Sequence, residues 1–140
     1  YAQDNELTWL DWDGADLALT SVVASLQQMR AGHPALRGDC FLDGEERDGV
    51  RDVVWYHPSG AVMRDADWTE PNASVLGMML SRDGDVVMVW FNRLQDEVGA
   101  HLPDCARNLV NRRVFGLGSG SSIHGYESIT LPSRSVVFLF

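Results

Sequence analysis

The chain has 140 residues, enough for one domain with its own core, and its 45% hydrophobic and 22% charged residues are typical of a soluble globular protein. It contains no apolar run of about 18 residues, which a membrane-spanning helix would need. The formal net charge of −9, from 11 basic and 20 acidic residues, argues against a nucleic-acid partner, because phosphate binding needs clustered Lys and Arg.

Residues 1–14 are predicted to form an irregular loop that is rich in side chains able to contact a sugar. Gln3, Asp4 and Asn5 can hydrogen-bond sugar hydroxyls, and Trp9 can stack on a sugar ring. The alternative is that the polar groups fix the shape of the loop and the aromatic residues anchor its packing. A carboxylate on such a loop has nothing that would hold it as a catalytic acid or shift its pKa.

Residues 15–31 are predicted to form an amphipathic helix. Asp13 or Asp16 can cap its start, Gly32 is placed for a left-handed C-cap, and Pro34 prevents continuation. Apolar residues recur at steps of three and four and share one face: Leu19, Val22, Val23, Leu26 and Met29. This stripe must be buried, either on the rest of the chain or on a partner.

The remainder of the chain predicts an antiparallel β-sandwich, so the fold class is mainly β with one N-terminal helix. Short β-type runs alternate with turn residues, and Asp83-Gly84 between two apolar runs is a strong hairpin signal. A small-residue connection occupies residues 116–122. The predicted strands cover residues 50–56, 61–64, 75–80, 86–92, 98–102, 110–115, 128–131 and 135–140.

Three tryptophans of this β region are candidates for a sugar-binding platform: Trp55, Trp68 and Trp90. Because neighbouring strand residues face opposite sides, at most one of Trp55 and Tyr56 can lie in the core. Core packing is the alternative for each of these aromatic residues, and it is the more frequent use of a large ring.

The sequence predicts no metal site and no cofactor. Cys40 and Cys105 have no His or Cys neighbours at zinc-ligand spacing. They can pair as a disulfide or remain free thiols in a reducing cytoplasm, and the second alternative is the expectation here.

Several stretches, in the right order, resemble isoamylase-type glycogen-debranching enzymes of bacteria, within the α-amylase clan of glycoside hydrolases. The opening Tyr-Ala-Gln-Asp-Asn-Glu-Leu-Thr-Trp-Leu-Asp-Trp is similar to the loop after their last barrel strand. The end of the predicted helix and the Val-Trp-Tyr-His-Pro-Ser-Gly segment resemble the close of the barrel and the start of the C-terminal sandwich. The other matching positions are Met63, Asp67-Trp68, Leu76-Gly77, Tyr126 and residues 131–137.

This resemblance implies that residues 1–38 are the last loop and helix of a catalytic (β/α)8 barrel and residues 39–140 an appended sandwich. It further implies a cytoplasmic parent enzyme whose partner is an α-glucan, namely glycogen or a limit dextrin, and whose reaction is retaining hydrolysis of α-1,6 branch linkages. Such enzymes use two carboxylates about 5–5.5 Å apart. In this clan those carboxylates lie on earlier barrel strands, so no catalytic residue is expected in this chain, and the isolated chain is expected to be inactive.

Two other functions remain compatible with the sequence. The chain can be an autonomous, non-catalytic carbohydrate-binding β-sandwich, which requires exposed aromatic residues on one sheet face. It can also be an interaction module whose helix docks on a partner chain, which requires exposed apolar area on that helix.

Overall fold

A computed structural model of the chain describes residues 3–47, 49–71, 73–109, 111–116, 123–124 and 127–140. Within these ranges the chain forms helix α1 (Leu17–Gly32), a 3₁₀ turn (Pro34–Leu36), the one-turn helix α2 (Asp65–Trp68) and a second 3₁₀ turn (Asp104–Ala106). The described strands, in chain order, are β1 (Glu46–Arg47), β2 (Val50–Arg51), β3 (Val53–Tyr56), β4 (Val75–Arg82), β5 (Asp85–Asn92), β6 (Val98–His101), β7 (Arg112–Gly116), β8 (Ile123–His124), β9 (Ser128–Leu131) and β10 (Ser135–Leu139).

These strands form two main antiparallel sheets. The larger sheet has the order β3-β4-β5-β10-β7 and the smaller one β6-β9-β8, while β1 and β2 pair only with each other. Side chains from both sheets share one core, in which Met88, Trp90 and Val137 of the larger sheet meet Ile129 and Leu131 of the smaller one. The predicted fold class, mainly β with one N-terminal helix, is confirmed.

The centre of this core is Trp90 on β5, whose side chain is fully buried. Its strand partner is Gly77 on β4, and a Cβ at that position would lie only 2.9 Å from the indole ring. The ring therefore occupies the space that a larger residue on β4 would fill, and the two strands stay close together beneath it.

The β4–β5 hairpin is closed by a two-residue turn. Asp83 and Gly84 both have positive φ, 53° and 79°, which matches a type I′ turn between Arg82 and Asp85. The Asp-Gly signal is thus confirmed, and the strands reach closer to the turn than the sequence predicted.

The outer face of the larger sheet is also apolar, which is unusual for an antiparallel sheet with one face in the core. Ala35 and Leu36 of the first 3₁₀ turn cover part of it, next to Leu80 and Val87. On strands β3, β4, β5 and β10, the side chains on this outer face are Val53, Trp55, Leu76, Met78, Leu80, Val87, Val89, Phe91, Val136 and Phe138.

Helix α1 starts and ends close to the predicted bounds, but its C-terminus differs from the expectation. Asp16 is the N-cap and accepts a hydrogen bond from the Leu19 amide at 2.9 Å. Gly32 is the last helical residue and does not adopt a positive φ. Instead His33 takes an extended conformation, φ −120°, because a residue before proline disfavours the helical region.

The predicted strand at residues 61–64 was wrong. Only one bridge forms there, between Val62 and Tyr56, and the chain then turns into α2. Arg64 and Asp67 explain the turn: the Arg64 amide donates to the Asp67 carboxylate at 2.8 Å, and the Asp67 amide donates to the Arg64 carbonyl at 2.9 Å.

The two cysteines are free, as expected, and Cys105 lies beside two core residues. Its Sγ is 3.4 Å from the Tyr56 hydroxyl and 3.3 Å from the Met79 sulfur. Burial raises the pKa of Tyr56, and the neighbouring Cys105 raises it further, so the phenol stays neutral.

A few sequence predictions lie outside the described residues. These are Tyr1 and Ala2 of the opening motif, residue 110 of a predicted strand, residues 117–122 of the small-residue connection, and Tyr126.

Asp85 joins the helical segment to the sandwich. Its carboxylate is 3.1 Å from the His33 ring and accepts a hydrogen bond from the Ala35 amide at 3.0 Å. The His33 ring also packs on Phe140, with ring centroids 4.4 Å apart. One carboxylate thus holds both sides of Pro34 against the β4–β5 hairpin.

We expect Asp85→Ala to lower the free energy of unfolding by about 1–3 kcal/mol, because two partly buried hydrogen bonds to a carboxylate are lost. Urea denaturation measures this change. Asp13→Ala, which removes an exposed carboxylate from the N-terminal loop, is the matched control and should leave the midpoint unchanged. Equal effects of the two substitutions would contradict the role of Asp85.

Candidate functional site

The four loop residues predicted to contact a sugar lie together and bond to one another. Asn5 Nδ2 donates to Gln3 Oε1 at 3.1 Å, and the indole Nε1 of Trp9 donates to the Asp4 carboxylate. The loop is closed further by Thr8, whose hydroxyl donates to the Gln3 carbonyl at 2.8 Å. The polar side chains therefore hold the loop in shape while they remain at the surface.

Helix α1 exposes its apolar stripe. None of its residues is buried, and Leu19 is 60% and Val22 40% exposed. Its described contacts to the rest of the chain run mainly through the 3₁₀ turn that follows it, where Arg30 donates to the Leu36 carbonyl at 3.1 Å. The loop ahead of it is apolar at its surface too: Leu7, Trp9, Leu10 and Trp12 are exposed. Apolar surface of this kind is typical of regions that another surface covers.

Trp55 and Trp68 form a second candidate site at an edge of the larger sheet. Their ring centroids are 5.6 Å apart and their planes are nearly perpendicular, at 78°. Trp55 is half-buried on the outer face, whereas Tyr56 points into the core, as strand alternation predicted. Trp68 on α2 remains 52% exposed, so one ring of the pair is open to solvent.

Two surface clefts meet at Trp68. One, of about 350 Å³, lies between Trp55, Val53 and the side chains of Asp43 and Arg51. The other, of about 230 Å³, is lined by apolar and polar residues in turn: Asp67, Ser74, Leu76, Phe91 and Arg93. Met63 and Trp68 line both clefts and form the wall between them.

Trp90, the third tryptophan of the predicted platform, is not at the surface. It has no solvent-exposed area and lies between the two sheets. In this conformation a sugar cannot reach its ring, so a platform on this domain rests on Trp55 and Trp68.

Sequence reasoning missed the cleft residues around Trp68, among them Met63, Phe91 and Arg93. Arg93 lies just beyond β5, where its Nε donates to Ser74 Oγ at 3.1 Å. The spacing of Arg64 and Asp67, three residues apart before a tryptophan, was the one local signal for α2 and hence for the position of Trp68.

Arg64 sets the charge state of Asp67, the residue that precedes Trp68. Its guanidinium is 3.1 Å from the Asp67 carboxylate, and this hydrogen bond holds the pKa of Asp67 below its usual value. Asp67 is therefore a carboxylate at neutral pH and accepts hydrogen bonds only. In the described part of the chain, no group of three or more His, Cys, Asp or Glu side chains has the arrangement of a metal site.

Neither described helix combines the length and apolar character needed to cross a membrane.

No protein-family model matches the chain. A glycogen debranching enzyme from Enterobacter sp. (strain 638) is 38% identical over 104 residues, and glycogen debranching enzymes from Yersinia pseudotuberculosis and Yersinia pestis are 35% identical over the same length.

Each of these matches covers 74% of this chain but only 15% of the relative. The chain thus corresponds to a small part of proteins that are several times longer. Over the matched residues, the chain belongs to the glycogen debranching enzyme family, as the counterpart of a C-terminal segment of its members.

Proposed function

We propose that this chain is the C-terminal part of a glycogen-debranching glycoside hydrolase that cleaves α-1,6 branch linkages. Residues 1–38 would supply the last loop and helix of its catalytic barrel, and residues 39–140 the appended sandwich. The observation that carries the proposal is the exposed apolar stripe of α1 in a relative of debranching enzymes. A helix that buries none of its residues in its own domain needs another surface to cover it.

In this arrangement the opening loop lies at the active-site end of the barrel, where βα-loops carry substrate contacts. Gln3, Asp4, Asn5 and Trp9 support that role because they are surface residues whose mutual hydrogen bonds hold them in position. A pre-arranged set of polar groups beside an aromatic ring suits a sugar. The acid and nucleophile of the retaining reaction would come from the missing part of the barrel.

The apolar outer face of the larger sheet supports the same arrangement. The 3₁₀ turn after α1 already covers part of that face, so the helix and the sheet belong to one side of the molecule. The free thiols of Cys40 and Cys105 suit a reducing compartment such as the cytoplasm, where a glycogen-degrading enzyme meets its substrate.

A hybrid protein tests this function directly. We expect the Enterobacter glycogen debranching enzyme to retain hydrolysis of α-1,6 linkages in limit dextrin when the region equivalent to the full chain, namely the 104 matched residues with their flanks, is replaced by these 140 residues. The isolated chain should release no linear glucan under the same conditions. The measurement is the release of reducing ends and of linear maltooligosaccharides.

A hybrid that folds cooperatively yet shows no debranching would overturn the proposal, and so would hydrolysis by the isolated chain. The matched control is the same relative with its own segment deleted, which should be inactive because the barrel stays open.

A further inference from the structure

We propose that Trp68 and the two clefts that meet at it bind a linear segment of α-glucan. The kind of ligand rests on the proposed function. The position of the binding site rests on the geometry around Trp68. In this proposal the sandwich contacts the polysaccharide directly, in addition to packing beside the barrel.

Contacts on two sides hold the Trp68 ring in place. The reciprocal hydrogen bonds of Arg64 and Asp67 fix α2, and Trp55 supports the indole from one side in an edge-to-face contact at 5.6 Å. Because the two planes stand at 78°, the pair is not a flat double platform. The exposed half of Trp68 therefore offers a single stacking surface, suited to one sugar ring.

The clefts on either side extend this surface into a path for a chain of sugars. They share Met63 and Trp68 as a common wall, so a ligand that stacks on Trp68 can continue into both. A glucan chain matches this shape because each unit has an apolar ring face and a rim of hydroxyls, and successive units extend in two directions from the stacked one.

Polar groups lie where the rims of the neighbouring units would fall. Arg93 uses its Nε toward Ser74, and no ion pair among the described residues engages its guanidinium, so it can donate to hydroxyls in the second cleft. Asp43 and Arg51 line the first cleft. Asp43 already accepts from Arg47, and the Arg51 guanidinium lies 3.8 Å from the Glu46 carboxylate. A hydroxyl there would therefore use the remaining hydrogen-bonding capacity of Asp43 and Arg51. Apolar floors with a few polar groups are typical of small-ligand sites, and a neutral polyol needs no net charge.

Affinity electrophoresis of the 140-residue chain tests the proposal, with glycogen embedded in a native gel and dextran at equal concentration as a control polymer. We expect retardation by glycogen and not by dextran. Trp68→Ala should weaken the retardation at least tenfold, Trp68→Phe should keep most of it, and Trp12→Ala, which removes another exposed tryptophan, should leave it unchanged.

Arg93→Ala provides a second test in case Trp68→Ala fails to fold. The Arg93 side chain lies at the surface, so its removal should not disturb folding. Arg93→Ala too should weaken retardation while the urea midpoint stays the same. Absence of retardation of the native chain, equal retardation by both polymers, or equal binding by the Trp68 and Trp12 variants would each overturn the inference.

The two proposals fail separately. An active hybrid enzyme together with unretarded migration of the chain overturns the glucan site alone. Retardation together with a folded but inactive hybrid overturns the debranching function and leaves a carbohydrate-binding sandwich.

Discussion

Replacing Trp90 by alanine is expected to lower the free energy of unfolding by about 3–5 kcal/mol. The side chain has no exposed area, and it contacts residues of both sheets. Its loss leaves a cavity between the sheets that cannot collapse easily, because Gly77 on the neighbouring strand contributes no side chain to fill it. Since small domains are stable by only about 5–15 kcal/mol, this single change removes a large part of the total.

Urea denaturation followed by circular dichroism measures this loss, and Trp12→Ala is the matched control because that ring is 77% exposed. Trp90→Phe should cost clearly less than alanine. A benzene ring fills most of the cavity, and the indole N–H of Trp90 has no hydrogen-bond partner among the described residues, so no hydrogen bond is lost. A cost below about 1 kcal/mol for the alanine variant would show that Trp90 is not central to the core.

Placing a charge on the apolar stripe of α1 should affect a longer enzyme far more than this chain. In the 140-residue chain, Val22→Asp should change the free energy of unfolding by less than about 1 kcal/mol, because Val22 is 40% exposed and makes few contacts. In the Enterobacter hybrid the same carboxylate would be buried without a partner. Burial of an unpaired charge costs several kcal/mol. We therefore expect at least a tenfold loss of debranching activity and a lower melting temperature.

Ala24→Asp is the control for this experiment. Ala24 lies on the opposite side of the same helix and is exposed, so its substitution tests the helix propensity of Asp without touching the stripe. Equal effects of both variants in the hybrid would contradict the docking of the stripe on the barrel.

Local patterns predicted much of this fold. The three- and four-residue steps from Leu19 to Met29 predicted α1, and Asp83-Gly84 predicted the central hairpin with the correct pair at its tip. Both signals depend on neighbouring residues only. The end of α1 differed because Pro34 acts on His33, and this effect removes the need for a left-handed Gly32.

The candidate sites were harder to predict because exposure depends on distant parts of the chain. Strand β5 is apolar on both faces, so alternation could not tell whether Trp90 points into the core or outward. Helix α2 spans four residues, which is too short to show a helical periodicity in the sequence. Its capping residues, Arg64 and Asp67, are the only local signal for it. One cleft beside Trp68 lies between α2 and strands β4 and β5, and the other lies between α2, β3 and residues 42–44. No sequence pattern records that these segments meet.

The exposed stripe of α1 also determines how this chain behaves in concentrated solution. Uncovered apolar surfaces attract one another, and the net charge of −9 at neutral pH is the force that keeps separate copies apart. That repulsion is screened over about 10 Å at 0.1 M salt and vanishes near the isoelectric point of about 4.7. We therefore expect purification at low ionic strength and neutral pH to keep the chain dispersed, and acidification toward its isoelectric point to let the exposed helices associate and precipitate the chain.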